Sequence, residues 1–333
     1  MRTLAVVTGA GAGVGRATAE EFARRGCDVG LIGRDRDRLE AVVVALHGLG
    51  VRAFAAPADM ADADAVERAA DAIEQALGPI DVWVNNAMAT IFAPVANIEP
   101  AEFRRATEVT YLGTVHGTMT ALRRMKRVDR GVIVNVGSAL AYRSVPLQSA
   151  YCGAKSAIRG FTDSLRSELI HDRSNIRVTM VHLPAVNTPQ FDWALNKTGH
   201  PARPVPPVYR PEVPAKAIVF AAFHRRREIW VGMPTVKAIL ANRIAPGLAD
   251  RYLASAGYSG QMADETLPAD APSNLFEPVP GQRGADGRFG EGARRRSFEM
   301  MTSRHKMAAL SAMAAFGLAT VAGLHALARK YDF

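Results

Sequence analysis

Residues 3–15 read Thr-Leu-Ala-Val-Val-Thr-Gly-Ala-Gly-Ala-Gly-Val-Gly. A short apolar run stops at a cluster of glycines, and a helix-like pattern follows through Arg25. The run reads as a buried parallel strand, because a strand covered on both faces shows continuous rather than alternating hydrophobicity. The glycines fit TGxxxGxG rather than GxGxxG. In that arrangement Thr8, Gly9, Gly13, Val14 and Gly15 carry the chain round a sharp turn, and their backbone can approach a pyrophosphate at a helix N-terminus. A signal peptide also begins basic and then apolar, but this run is too short and glycines interrupt it at once.

Outward from the turn, a second strand at 28–32 ends at Gly33-Arg34-Asp35-Arg36. A dinucleotide fold wraps the residues after this strand around the adenosine ribose. An acidic side chain there accepts from the 2′-hydroxyl, whereas an arginine pairs with a 2′-phosphate. Arg34 therefore points to NADP (NADPH) rather than NAD, against the plainer alternative that 34–38 is a solvated helix start. A third strand at 51–56, a helix at 62–77 and a fourth strand at 80–84 follow. That alternation predicts an α/β fold, a Rossmann-type doubly wound parallel sheet. Asp59, with Met60 beside it, follows the third strand and is placed to meet an adenine amino group. Asn85, Asn86 and Ala87 close the fourth strand at the carboxyl edge, where such sheets bind ligands.

A long helix at 100–126 leads to a fifth strand at 131–136, which delivers Ser138 to the same edge. Thirteen residues on comes Tyr151, and Lys155 follows it by four, in a helix running to about 171. On a helix that spacing stacks phenol and ammonium on one face. A free phenol has a pKa near ~10, and a nearby cation lowers it, which makes Tyr151 a usable general acid or base. A tyrosine and lysine at this spacing also occur as a ring on the core and a solvated ammonium.

Taken together, Thr8-Gly9 with Gly13 and Gly15, Asp59, Asn85-Asn86-Ala87, Ser138, and Tyr151 with Lys155 resemble the short-chain dehydrogenase/reductase family, in order and at family spacing, over residues 1–232. The resemblance implies that Tyr151 gives or takes the proton on the substrate oxygen and that Ser138 hydrogen-bonds that oxygen. It also implies that Lys155 lowers the Tyr151 pKa and binds the nicotinamide ribose while hydride passes between nicotinamide and substrate carbon. It further implies a homodimer or homotetramer, formed through the helices carrying Thr110 and Tyr151.

The chain departs from the family pattern in three places. Thr110 stands where an asparagine supports a water-filled proton relay, so a slower relay is expected. Met88 stands where glycine is usual and narrows the nicotinamide side. After the sixth strand at 176–182, Leu183-Pro184 replaces Pro-Gly, while Val186 and Thr188 keep the spacing that holds the carboxamide; Pro184 has no N–H to offer. Residues 190–211, with Phe191, Trp193 and a proline-rich run, lie where the family has its mobile lid. With Leu140, Tyr142, Val145 and Leu147 on the other wall, an apolar pocket is expected, for a lipophilic carbonyl or alcohol.

Composition sets the outer bounds. At 333 residues, 48% hydrophobic and 22% charged, the chain has enough material for one large core and a tail. Cys27 and Cys152 show no metal-type spacing and suit a reducing compartment, and the eight histidines form no cluster, so no metal site is expected. The net charge of +9 is mainly a tail property: residues 283–333 hold nine Lys and Arg against four Asp and Glu. Nucleic acid is therefore not an expected partner. The expected domains are a catalytic unit at 1–256, closed by a last strand at 228–231 and a helical region at 235–256, and an extended or disordered basic linker at 257–306. A transmembrane or membrane-associated helix is expected at 307–328, with the catalytic domain on the cytoplasmic side. The expected function is an NADP(H)-dependent oxidoreductase; the rival is a non-catalytic NAD(P)-binding membrane scaffold protein, which the intact Ser138, Tyr151 and Lys155 weigh against.

Overall fold

In the computed structural model, which describes residues 2–297, 299 and 300, the opening apolar run is strand β1 (Leu4–Thr8), and the glycine turn leads into helix α1 (Gly13–Arg24). There follow β2 (Asp28–Gly33), α2 (Arg36–His47), β3 (Ala53–Pro57), α3 (Ala63–Leu77) and β4 (Val82–Asn85). Aspartates start the two later helices: Asp35 accepts from Arg38 N and Asp62 from Ala65 N. Past β4 the chain forms a two-residue strand β5 (Ile91–Phe92), then α4 (Pro100–Thr107), a π-helical turn (Glu108–Leu112) and α5 (Gly113–Met125). The long helix expected at 100–126 is thus interrupted in the middle. Next come β6 (Val132–Ser138), α6 (Ser149–His171), β7 (Arg177–Leu183), α7 (Gln190–Trp193), β8 (Leu195–Asn196), α8 (Glu212–Phe223), β9 (Glu228–Trp230), α9 (Met233–Ile244) and α10 (Pro246–Ala256). Pro246 splits the helical region expected at 235–256, since proline removes a donor and clashes with the preceding turn.

Among the described residues the main sheet has seven strands in the order β3-β2-β1-β4-β6-β7-β9, every pairing parallel. Alternate residues serve opposite layers. Ala5 and Val7 of β1 pack with Phe22 of α1, Leu46 of α2 and Ile218 of α8, while Leu4 and Val6 pack with Ile73 of α3, Met125 of α5 and Leu165 of α6. The order reverses between β1 and β4, and the connections after these strands diverge, opening a cleft at their carboxyl ends. Strand β5 pairs with β8 and clips the segment after β4 to the 190–211 region.

Helix α8 escaped the pattern reading. Val213, Ala217, Ile218, Phe220 and Ala221 are all buried, so the helix is apolar nearly all round and shows no amphipathic period. A buried ionic cluster ties α5 to α3. Arg124, 5% exposed, reaches Glu67, Asp71 and Glu74.

The linker reading for 257–306 needs correction over the described part. The segment is irregular, but it lies against the catalytic unit and buries Leu275 completely and Gln261, Ser297 and Met300 nearly so. Its carbonyls find arginine donors on the sheet side, so an irregular backbone can be covered without unsatisfied groups. The helix expected at 307–328 lies outside the described residues. Among the described residues no helix is long and apolar enough to cross a membrane.

Candidate active site

The glycine turn forms one end of the cleft. Gly9 has φ +66°, and a Cβ there would sit 2.8 Å from Ala87 Cα; a Cβ on Gly15 would fall 2.1 Å from Gly9 O. Larger residues would push α1 off the turn. Thr8 clips the ends of β1 and β4 together: its Oγ1 accepts from Asn86 N at 2.9 Å and Ala87 N at 3.0 Å, and Asn86 Nδ2 donates to Thr8 O at 3.0 Å. Ala12 caps α1 without a side-chain bond; of the first N–H groups of the helix, Gly13 N donates to Gly284 O at 3.1 Å, and Val14 stands beside the cleft. Val186 and Thr188 line the opposite wall, where a Cβ on Gly13 would meet Thr188 Cβ at 3.3 Å. The close backbone approach and the uncapped helix start fit the pyrophosphate of a dinucleotide.

At the far end stand Gly33, Arg34, Arg38, Asp59 and Met60. Asp59 accepts from Ala61 N at 2.9 Å and is paired with Arg105. Arg38 is 7% exposed, with Nε 3.2 Å from Asp35 and its guanidinium 4.9 Å from the centre of the Trp193 ring. Its Nη2 is buried without a hydrogen-bond partner. A buried donor left unpaired in a cleft wall suits an anionic ligand group. Sequence reading passed over Arg38; its only sign was an arginine one turn past the strand end. Arg34 Nη1 donates to Phe276 O at 2.6 Å and Nη2 to Asn274 O, and burial lowers its pKa.

Ser138, Tyr151 and Lys155 meet on the cleft floor. Ser138 ends β6, its Oγ accepting from Leu140 N at 3.1 Å, and it lines the cleft with Tyr151. Tyr151 is the third residue of α6, and Lys155, one turn on and 2% exposed, donates from Nζ to Val136 O at 2.6 Å. Burial pushes the Tyr151 pKa above its ordinary value, outweighing the opposing effect of Ser138, and it lowers Lys155 to about 8. The expected lowering of the phenol by Lys155 is not the dominant effect: Lys155 is buried, Tyr151 is partly buried at the cleft, and desolvation disfavours each charged form.

Other expected site residues serve the frame. Asn85 is 2% exposed and bonds Trp83, Thr118 and Asn135 behind the sheet edge, away from the cleft. Thr110 sits in the π-helical turn, wholly buried. Its Oγ1 donates to Ala89 O and accepts from Ala89 N, both at 2.9 Å, and its carbonyl accepts from Thr114 Oγ1. It braces the segment after β4 with its side chain, and its carbonyl, which accepts from Thr114 Oγ1, keeps a second lone pair. Met88 and Pro184 line the cleft. Of the expected apolar wall, Leu140, Val145 and Phe191 line it, whereas Leu147 and Tyr142 do not. Tyr142 instead donates to Glu228 at 2.6 Å, and Glu228 lies 3.2 Å from Nε2 of the buried His182, whose Nδ1 is 3.2 Å from Ser138 O. Burial opposes ionisation of Glu228, but hydrogen bonds from His182 and Tyr142 outweigh it and hold the carboxyl at about 2. This chain of side chains supports the Ser138 backbone from behind, and sequence reading saw His182 only as part of a strand.

The cleft of about 470 Å³ therefore joins a glycine-rich phosphate cradle to a serine, tyrosine and lysine set. Residues 3–198 match the family profile described as short chain dehydrogenase. The chain belongs to the short-chain dehydrogenase family. As a short-chain dehydrogenase/reductase it is an NAD(P)-dependent oxidoreductase acting on CH–OH or C=O groups. It is 31% identical over 276 residues to an uncharacterized oxidoreductase, YxnA, of Bacillus subtilis, covering 82% of this chain and 77% of that protein. It is 28% identical over 258 residues to a fatty acyl-CoA reductase of Acinetobacter baylyi, covering 77% and 84% of the two chains. Among solved structures it is similar to an alcohol dehydrogenase from the archaeon Thermococcus sibiricus complexed with 5-hydroxy-NADP, with a TM-score of 0.60, 26% identity, and coverage of 69% of this chain and 96% of that one.

Proposed function

We propose that this short-chain dehydrogenase uses NADP(H) to interconvert a carbonyl and an alcohol on an apolar small molecule, with Tyr151 as the proton donor and acceptor. The observation that carries the reading is the convergence of Ser138, Tyr151 and Lys155 on the cleft that the glycine turn borders. Burial keeps the phenol protonated at neutral pH, the form that can donate to a carbonyl oxygen. Ser138, fixed by β6, orients that oxygen. When bound, the nicotinamide supplies or takes the hydride. Gly9, Gly13, Val14 and Gly15 would hold the pyrophosphate, Lys155 the nicotinamide ribose, Val186 and Thr188 the carboxamide, and Asn86 and Ala87 the floor between them. The unpaired Nη2 of Arg38, beside Arg34, supports the choice of NADP over NAD.

An apolar substrate is supported by Leu140, Val145, Phe191 and Leu253 in the cleft wall, and by the kinship with a fatty acyl-CoA reductase. A homo-oligomer through α4, α5 and α6 is supported by the exposure of Phe103, Leu112, Met119 and Ile170 on those helices and the turn joining α4 to α5. Light scattering on the purified chain reads the assembly directly.

The test is NADPH oxidation against ketones and aldehydes of increasing chain length, with NADH in parallel. Turnover should rise with substrate hydrophobicity and favour NADPH. Tight NADPH binding without turnover on any carbonyl would replace this reading with a cofactor-binding protein that performs no such chemistry.

A further inference from the structure

We infer that residues 274–290 form a strap that closes over the bound dinucleotide and gates its exchange, an inference that rests on the NADP(H) reading above. The strap is stitched to both sides of the cleft. On the β2–α2 side Arg34 donates to the carbonyls of Asn274 and Phe276, and Arg38 Nε donates to Gly281 O at 2.8 Å. At the glycine turn Gly13 N donates to Gly284 O at 3.1 Å, and Arg16 Nη1 to Arg283 O at 3.2 Å. On the side after β7, Asn187 Nδ2 donates to Asp286 at 3.0 Å and Arg288 pairs with Asp192 at 3.1 Å. Trp193 lies against Arg38 from one side of the cleft and Arg283 from the strap, at 4.9 and 5.9 Å.

The strap borders the cleft and holds some of its donors, Gly13 N among them. Asn274 and Pro278 border the same cavity as Gly9, Asn86 and Arg38. Arg38 keeps a buried Nη2 without a hydrogen-bond partner after the strap's Gly281 O has taken its Nε. Glycine recurs at 281, 284, 287 and 290. At Gly287 a Cβ would fall 2.5 Å from Thr188 O, so the absence of side chains lets the strap lie flat on the backbone that edges the cleft. A dinucleotide stretched from Arg38 to Tyr151 meets the strap at Gly13, whose N–H Gly284 O holds, so the strap must lift before the pyrophosphate can enter or leave. Beside the buried Leu275, which packs with Ala106 and Val109, the buried Val279 and the edge contact of Phe289 on Phe191, the attachments are hydrogen bonds and a surface ion pair, the kind that open locally without unfolding the domain.

The experiment uses the full chain, following NADPH fluorescence while bound cofactor is chased with excess NADP. Leu275→Asp places a carboxylate in the strap's apolar anchor, and the double variant Asp286→Ala with Arg288→Ala cuts two outer attachments without touching the core. Dissociation should be about tenfold faster in the first and about threefold faster in the second, the response of a lid whose closed state has been weakened. In the wild type, NADPH should slow trypsin cleavage after Arg283 and Arg288. Equal dissociation rates in wild type and double variant overturn the strap, even where Leu275→Asp fails to fold. Faster cleavage with NADPH also overturns it, because the segment then competes with the cofactor. Normal NADPH binding with unchanged rates leaves the NADP(H) reading standing, whereas no binding of NADPH or NADH by wild type or variants removes that reading and the strap together.

Discussion

Lys155 places its Nζ 5.6 Å from the centre of the Tyr151 ring while donating to Val136 O at 2.6 Å. The carbonyl belongs to β6, the strand that ends in Ser138, so one strand carries Ser138 and anchors Lys155, while α6 carries Tyr151 beside them. Replacing Tyr151 by Phe removes the proton donor and keeps the ring. Turnover should fall about 10³-fold, the scale of a lost general acid, with NADPH affinity kept within about threefold. Steady-state rates and fluorescence titration check this, and near wild-type turnover would refute the role of Tyr151.

Burial lowers Lys155 from 10.5 to about 8, which has a consequence for stability. Below pH 8 both folded and unfolded states hold the proton, and the folded state bears the full cost of a buried ammonium. Between 8 and 10.5 the unfolded chain binds more protons, so stability rises with pH. Urea unfolding of the ligand-free protein should show this residue adding about 2 kcal/mol between pH 7 and 9.5. The contribution is the difference from Lys155→Met, in which it should vanish; parallel pH profiles would contradict the assignment.

Arg38 offers a test of cofactor choice that strap effects do not obscure. Arg38→Leu loosens the strap for either cofactor alike, because it loses the bond to Gly281 O. Only NADPH carries a 2′-phosphate for the vacant Nη2. The Kd for NADPH should therefore rise about tenfold more than that for NADH, the worth of one charge-assisted contact. Equal losses would remove Arg38 from the phosphate site.

Arg124 lies far from the cleft in chain connectivity, on α5 against α3, and its loss should act on stability alone. Arg124→Met leaves Glu67, Asp71 and Glu74 facing one another without their shared cation. With the carboxylates partly open to solvent, the cost should be about 2 kcal/mol in urea unfolding, with kcat unchanged. Burial opposes ionisation of Glu67, but bonds from Arg123, Thr120 and Arg124 hold it at about 2, so its contribution is complete above 4.5 and is lost as pH falls from 4.5 through 2. Acid unfolding of the variant should show a shallower dependence in that window. A measured loss of kcat in the folded variant would contradict a purely structural role.

The alternation of strands and helices, the glycine turn and the triad were legible because each is written locally. An apolar run that stops at glycines, or a Tyr and Lys four apart, carries its meaning within one or two turns of chain. Thr110 shows where that ends. Its place in the sequence marks a relay position, yet its hydroxyl is taken by Ala89, twenty-one residues away, once the chain turns back after β4. Tyr142 reads as an apolar wall and instead faces Glu228, eighty-six residues on. Helix α8 hid because burial on most sides removes the polar face that periodicity detects.

By itself, then, the sequence determined the alternation of strands and helices, the carboxyl-edge cleft, the family, and the presence of Ser138, Tyr151 and Lys155 in it. Tertiary structure alone decided what surrounds those groups. Arg34 meets the carbonyl of Asn274, 240 residues further on, and Gly13 N meets Gly284 O. Strand and turn preferences act between near neighbours, whereas these contacts join backbone carbonyls, which every residue carries, to donors that only folding brings near. Desolvation has the same character: the pKa directions of Tyr151 and Lys155 depend on how much water the whole fold excludes, a quantity no short stretch of chain contains.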